Sequence, residues 1–239
     1  MCLILFGFQP NSHFGLVVAA NRDEFYKRPT RVAGFWPEQP DLLAGQDLEM
    51  GGTWLGITRG GRFSAVTNFR ETPPSPVPPR SRGDLTTNFL LGEMTPTDYL
   101  AEIGQRANEY KAFNLLVGDS TGLYYYCNRE AVVRQLEAGF YGLSNDLLDC
   151  DWPKVRSGRD ELASLLDSQH DPAALFELLA DKGSPDEPWS AKFISSPEYG
   201  TCAATVLTVD RSNQVYFQER NFSAGGQPTT DKEFRFSIE

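Results

Sequence analysis

The residues with the most chemistry in this 239-residue chain stand at its start. Cys2 follows Met1, and methionine is normally trimmed before a small residue. Trimming leaves a free α-amine on the residue that also carries a thiol. A thiol of pKa about 8.5 and an α-amine near 8 are both tunable to neutral pH. The amine then serves as base for its own side chain, the logic of an N-terminal threonine. The plainer role for Cys2 is a small residue in a buried first strand. The polar run Asn21-Arg22-Asp23-Glu24 favours the chemical one. A hairpin turning near Asn11 or Ser12 pairs positions whose numbers sum to about 23, so Cys2 lies across from Asn21. Arg22 would then stabilise a thiolate, and Asp23 would hold the α-ammonium or a substrate amine. A solvated ion pair at a strand end is the commoner use of such a pair. Asn68 and Asn145 each end an apolar run, where an amide donates to an oxyanion or simply makes a turn.

Composition narrows the chemistry. With 22 Lys+Arg against 32 Asp+Glu the net charge is -10. That field is wrong for nucleic acid or an anionic membrane surface. Four scattered cysteines without a CxxC pair, and only two histidines (His13 and His170), give no metal-ligand spacing. Catalysis must lean on Cys, carboxylate, Arg, Asn, hydroxyl or backbone groups, and a cysteine that carries its own base needs no histidine. The first apolar run, Leu3 to Phe8, is too short for a signal peptide, and no window approaches 18 apolar residues. Unpatterned cysteines suit a reducing compartment, so a cytoplasmic address is expected. Cys127, Cys150 and Cys202 read as small apolar fillers.

The elements that must position these residues follow a rhythm of hairpins and helix pairs. Strands are predicted at Cys2 to Phe8, Gly15 to Ala20, Trp54 to Thr58, Phe63 to Phe69, Phe113 to Gly118, Leu123 to Cys127 and Phe140 to Ser144. Two more follow at Ala203 to Val209 and Gln214 to Glu219. Helices are predicted at Asp84 to Leu91, Pro96 to Asn108, Pro153 to Asp167 and Pro172 to Asp181. The proline-rich stretch Thr72 to Arg80 reads as a surface loop within one domain spanning residues 1–239. Antiparallel hairpins with helix pairs covering sheet faces make the fold class α+β, with sheets packed together and helices outside.

Several runs then carry a resemblance. Met1-Cys2, Ala20-Asn21-Arg22-Asp23-Glu24-Phe25, Gly52-Thr53-Trp54-Leu55-Gly56 and Val66-Thr67-Asn68-Phe69-Arg70 resemble the NRDE family, also called the transport and Golgi organisation 2 family. Ser81-Arg82-Gly83, Phe113-Asn114-Leu115, Gly142-Leu143-Ser144-Asn145, Trp152-Pro153-Lys154-Val155 and Tyr199-Gly200-Thr201 continue it in the family's order. That family is similar to N-terminal-nucleophile hydrolases of the choloylglycine hydrolase and penicillin acylase group. The resemblance implies a four-layer α-β-β-α sandwich of antiparallel sheets. It also implies amide cleavage with Cys2 as nucleophile and base, Arg22 and Asp23 as its supporting pair, and Asn68 and Asn145 as oxyanion donors. The chain departs from the family at Cys202, where members often have Arg. A retained Met1 would block the amine of Cys2.

Other residues complete the expectation. Asn21, Trp54 and Arg82 are candidate substrate contacts, although Trp54 also suits the core. Arg80, Arg82 and Lys154 read more simply as solvated surface charges. Tyr124-Tyr125-Tyr126 alternates across a strand and reads as packing. The expected function is an N-terminal-cysteine hydrolase or acyl-transferring enzyme acting on a small molecule, with no cofactor, no metal and no membrane insertion. The alternative is a non-catalytic carrier binding haem or a lipid or acyl ligand in the same pocket; the family has been linked to haem handling and to lipid or acyl-coenzyme A metabolism. A third, a trafficking or membrane-organising role, is disfavoured by the acidic balance.

Overall fold

The computed structural model describes residues 2–73, 80–168, 171–187 and 189–239. Met1, His170 and most of the proline-rich stretch lie outside the described residues. In chain order the strands are β1 (Cys2–Phe8), β2 (Phe14–Phe25), β3 (Thr30–Trp36), β4 (Gln39–Asp47), β5 (Leu55–Thr58) and β6 (Phe63–Asn68). Helices α1 (Arg82–Leu91) and α2 (Pro96–Gln105) precede β7 (Phe113–Asp119), β8 (Gly122–Cys127), β9 (Val132–Gln135) and β10 (Gly139–Leu143). Then come α3 (Pro153–Ser168), α4 (Pro172–Leu179), β11 (Tyr199–Asp210), β12 (Gln214–Ser223) and β13 (Gln227–Ser237).

These elements form two compact units. The first comprises Met1–Arg28, Glu137–Ser144 and Leu148–Ser237. Its antiparallel sheet has the order β10-β1-β2-β11-β12-β13. Alternation decides which side chains meet the helices. Leu3 and Leu5 of β1, Val17 and Ala19 of β2, and Ala204 and Val206 of β11 are buried against Val155, Leu162, Leu166, Leu175 and Leu179 of α3 and α4. Each buried leucine contributes about 1.5–3 kcal/mol of transfer free energy. Cys2, Ile4 and Phe6 therefore stand on the opposite face. A Cβ on Gly158 would meet Leu5 at 2.6 Å, and the Asn11 side chain donates to the Leu166 carbonyl at 3.4 Å. Helix α3 thus starts at the Cys2 end of β1 and runs toward the β1–β2 turn.

The second unit comprises Pro29–Leu136, Asn145–Leu147 and Ile238–Glu239. Its antiparallel sheet has the order β3-β4-β5-β6-β7-β8-β9. Leu85, Phe89, Leu100 and Ile103 of α1 and α2 pack on Leu42, Val66, Leu115 and Val117. Ser81 caps α1 by accepting from Gly83 N–H, and Thr95 caps α2 with Pro96 in its first turn. A Cβ on Gly52 would lie 2.7 Å from the Gly83 backbone. The two glycines allow the chain before β5 to touch the first turn of α1.

The class is α+β, as expected, and each unit is an antiparallel sheet with a helix pair packed on one face. The predicted strands and helices all occur, with shifted ends. Strands β3, β4, β9 and β13 were not foreseen. β13 is largely exposed and polar and the four-residue β9 is exposed throughout, so no apolar alternation marks them. Among the described residues, no helix is long and apolar enough to cross a membrane.

Candidate active site

Cys2 opens β1, and the register sets Arg22 of β2 directly across from it. Opposed residues in an antiparallel pair share a face with Cβ atoms about 4.5–5.5 Å apart. The thiol and the guanidinium are therefore neighbours, both mostly buried. The expected pairing of Cys2 with Asn21 is off by one, because Leu3 takes that partner. The turn is the cause. Gln9 adopts a left-handed φ of 44° and donates its N–H to Gly15 at 2.7 Å. The Asn11 carboxamide oxygen then accepts from His13 and Phe14 N–H at 2.9 and 3.0 Å. A slip of one residue moves side chains to the other face. Asn21 accordingly points with Leu3 toward the helices, where its Nδ2 donates to the carbonyls of Leu179 at 2.9 Å and Lys192 at 2.8 Å. Both amide hydrogens are committed to backbone, so Asn21 serves the scaffold on the side of β2 away from Cys2.

Asp23 is 4% exposed. Strand β11 passes beside it with Thr201 opposite Asp23 and Ala203 opposite Arg22, bulging at Cys202. The Thr201 hydroxyl donates to Asp23 Oδ1 at 2.7 Å and accepts from Ile194 N–H at 3.0 Å. A Cβ on Gly200 would meet the Tyr26 hydroxyl and the Ile194 carbonyl within 2.5 Å, so only glycine lets β11 come this close. Burial raises the Asp23 carboxyl to about 6, against the opposing pull of the N-terminal ammonium first and then of Thr201, Lys154 and Arg22. Burial also pushes the Cys2 thiol up, with the charge of Asp23 adding to it. The N-terminal ammonium, the Asp23 backbone N–H and Arg22 pull it down. The Ser144 hydroxyl, at the end of β10, donates to the Cys2 carbonyl at 2.7 Å and fixes the strand start.

Lys154 is the residue that sequence reasoning misplaced. It sits in the first turn of α3 at the Cys2 end of the sheet and is 1% exposed, not a solvated charge. Burial lowers its pKa, while Asp23, Cys2 and Cys150 raise it. The Trp152 ring lies 5.8 Å from its ammonium. A signal was present: Lys154, Gly158, Leu162 and Leu166 recur every four residues and form the buried stripe of α3. Cys202 is half-buried with its thiol 3.5 Å from the carbonyls of Glu24 and Gly200. It offers no cation where the resemblance expects one.

The remaining expected residues belong to the second unit. Asn145 donates through Nδ2 to the Asn68 carbonyl at 2.7 Å, and its own carbonyl accepts from Arg70 N–H at 2.7 Å. Asn114 reinforces this corner, donating to Thr67 Oγ1 and to the Asp146 carbonyl at 3.1 and 2.9 Å. The Asn68 side chain at the end of β6 is exposed. Trp54 packs against the helix-side core. Arg82 donates to the Ala112 carbonyl at 3.1 Å. Tyr124, Tyr125 and Tyr126 are all buried, as the packing reading expects. Among the described residues, no group of three or more His, Cys, Asp or Glu could hold a metal ion. His13 is exposed in the β1–β2 turn.

In chemical terms, the first unit gathers at one end of β1 and β2 a thiol opposite a guanidinium on one face and a buried carboxyl and a buried ammonium on the helix side. Comparison with known proteins is consistent with the fold. The pattern of the family described as Transport and Golgi organisation 2 matches residues 1–224. The Transport and Golgi organization protein 2 homolog of Bos taurus is 35% identical over 277 residues, covering 98% of this chain and 99% of that protein. The Homo sapiens homolog is 35% identical over 257 residues, covering 92% and 93%. Among solved structures, the Caenorhabditis elegans N-acylethanolamine-hydrolyzing acid amidase ortholog superposes with a TM-score of 0.53 at 13% identity, over 86% of this chain and 92% of that one.

Proposed function

We propose that this chain, which belongs to the Transport and Golgi organisation 2 family, is a hydrolase that cleaves an amide or acyl bond of a small molecule through Cys2. The observation that carries the reading is the placement of Cys2 directly opposite Arg22, with the neighbouring Asp23 carboxylate anchored by Thr201. A fold shared with an amidase supports it, although that likeness is one of fold alone.

The mechanism starts with removal of Met1. The freed α-amine takes the thiol proton as Sγ attacks the carbonyl carbon of the substrate. The tetrahedral oxyanion needs amide donors, the role that the family resemblance gives to Asn68 and Asn145. Collapse breaks the C–N bond, and the α-ammonium returns its proton to the leaving amine. Water then attacks the thioester, releasing the acid and restoring the thiol. Arg22 favours the developing thiolate, and Asp23 holds the α-ammonium. The address is cytoplasmic and the ligand a small molecule.

The test is hydrolysis of a panel of N-acyl amides of graded chain length. Turnover by the parent and its loss in Cys2→Ala support the reading. Absence of turnover across the panel, or equal turnover by Cys2→Ala, contradicts it. One observation favours a second reading. Cys2 is 8% exposed and burial holds it as a neutral thiol, which suits packing. The chain would then be a non-catalytic carrier of haem or a lipid or acyl ligand. Undiminished ligand binding by Cys2→Ala would favour that reading.

A further inference from the structure

A lysine ammonium in a protein interior is costly unless paired, and such groups cluster at functional sites. Lys154 is 1% exposed, and among the described residues its Nζ has no hydrogen-bond partner. The other buried lysine of the unit, Lys192, shows the structural alternative. It donates to Asp181 at 2.8 Å and to both Glu161 oxygens at 3.1 Å. Lys192 is explained by its partners, and Lys154 is not.

Backbone geometry says where Lys154 points. Gly158 lies over Leu5. Four residues earlier, a helix has risen about 6 Å toward the Cys2 end, close to the length of two strand residues, so Lys154 stands over Leu3. A helical side chain leans toward the N-terminus of its helix, which carries the ammonium on toward Cys2 and the end of β2. Asp23 lies there on the helix-facing side, two residues from Asn21. The Trp152 ring flanks the ammonium.

We propose that Lys154 is a positioning residue whose ammonium keeps the buried Asp23 carboxylate charged beside Cys2. The charged and titratable groups facing Asp23 are the N-terminal ammonium, Cys2 from β1, Arg22 and Tyr26 from β2 and the turn after it, Cys202 from β11, and Lys154 from α3. Arg22 belongs to the Cys2 face, so Lys154 is the side-chain cation that approaches Asp23 from the helices, alongside the N-terminal ammonium. Neutralising Lys154 would raise the protonated fraction of Asp23 at neutral pH. A protonated Asp23 no longer holds an α-ammonium. The proposal rests on the N-terminal-nucleophile reading only for what Asp23 then does.

The experiment is a carbon-13 carboxyl titration of Asp23 by NMR, assigned with Asp23→Asn. The expected midpoint is about 6 in the parent. In Lys154→Met it moves up by one unit or more, a tenfold weaker acid, and in Lys154→Arg it stays within half a unit of the parent. An unmoved midpoint in Lys154→Met overturns the proposal, as does Lys154→Arg titrating like Lys154→Met. If Lys154→Met does not fold, the unaltered protein decides. The Lys154 Cε resonance must show a step at the Asp23 midpoint, and its absence overturns the proposal. These readouts need no turnover. A shifted midpoint in a protein that hydrolyses nothing keeps Lys154 and removes only the hydrolase reading.

Discussion

The Thr201 hydroxyl donates to the Asp23 carboxylate at 2.7 Å across 178 positions of sequence. The same hydroxyl accepts the Ile194 N–H at 3.0 Å. A buried hydrogen bond to a charged group is worth about 1.5–3 kcal/mol. Thr201→Val removes it and also orphans Ile194 N–H. We expect a loss of roughly 2–4 kcal/mol in urea unfolding and loss of turnover. Thr201→Ser keeps the hydroxyl and should cost less than about 1 kcal/mol. Equal stability of Thr201→Val and parent would mean the bond is not made.

Asp23 sets a pH dependence with a definite sign. Its folded pKa of about 6 is above the ordinary 3.8. The folded state therefore holds the proton more tightly. The stability from this group is fully present below pH 4 and is lost as pH rises through about 6. Asp23→Asn should gain on the parent between pH 4 and pH 7, by about 1–3 kcal/mol at pH 8. It should also lose turnover, since an amide does not hold an ammonium by charge. In the parent, turnover should fall as pH drops through about 6. Melting curves at pH 4 and pH 8 check the first part, and a constant difference between the two proteins would contradict it.

Asn21 makes a contrasting prediction. Its two donated bonds tie β2 to the end of α4 and to Lys192 on the face away from the thiol. Asn21→Leu leaves two buried carbonyls without these donors, a loss of about 2–4 kcal/mol. Residual folded protein should keep the parent's KM and pH profile. A raised KM with unchanged stability would return Asn21 to the substrate.

Gly200 is a purely steric test. A Cβ there collides with the Tyr26 hydroxyl and the Ile194 carbonyl, and the carbonyl is backbone that moves only with β11. Gly200→Ala should cost about 1–3 kcal/mol and displace Thr201 from Asp23. Unfolding midpoints together with turnover check it; an unaffected variant would show that β11 yields freely.

Much of this was legible in residue order. Apolar runs ending in Asn21-Arg22-Asp23 and in Asn68 marked the strand ends where polar groups collect. Hairpin logic set Cys2 beside the Asn21-Arg22-Asp23 run, one residue out of register. What residue order did not carry was the turn at Gln9, whose left-handed backbone shifts the pairing by one and sends Asn21 to the helix side. Lys154 was hidden because a lysine in a first helical turn is ordinarily solvated. Only the four-residue stripe with Gly158 and Leu162 betrays its burial. β13 was hidden because its residues are mostly exposed and carry charges that discourage edge pairing.

The central claim is that Cys2, with its amine free, forms a covalent acyl intermediate. Intact-mass spectrometry of the purified protein, before and after exposure to an activated N-acyl amide, tests it directly. The account predicts a starting mass lacking Met1 and, after exposure, the added mass of one acyl group, absent in Cys2→Ala. A protein that retains Met1, or an adduct that persists in Cys2→Ala, would contradict it.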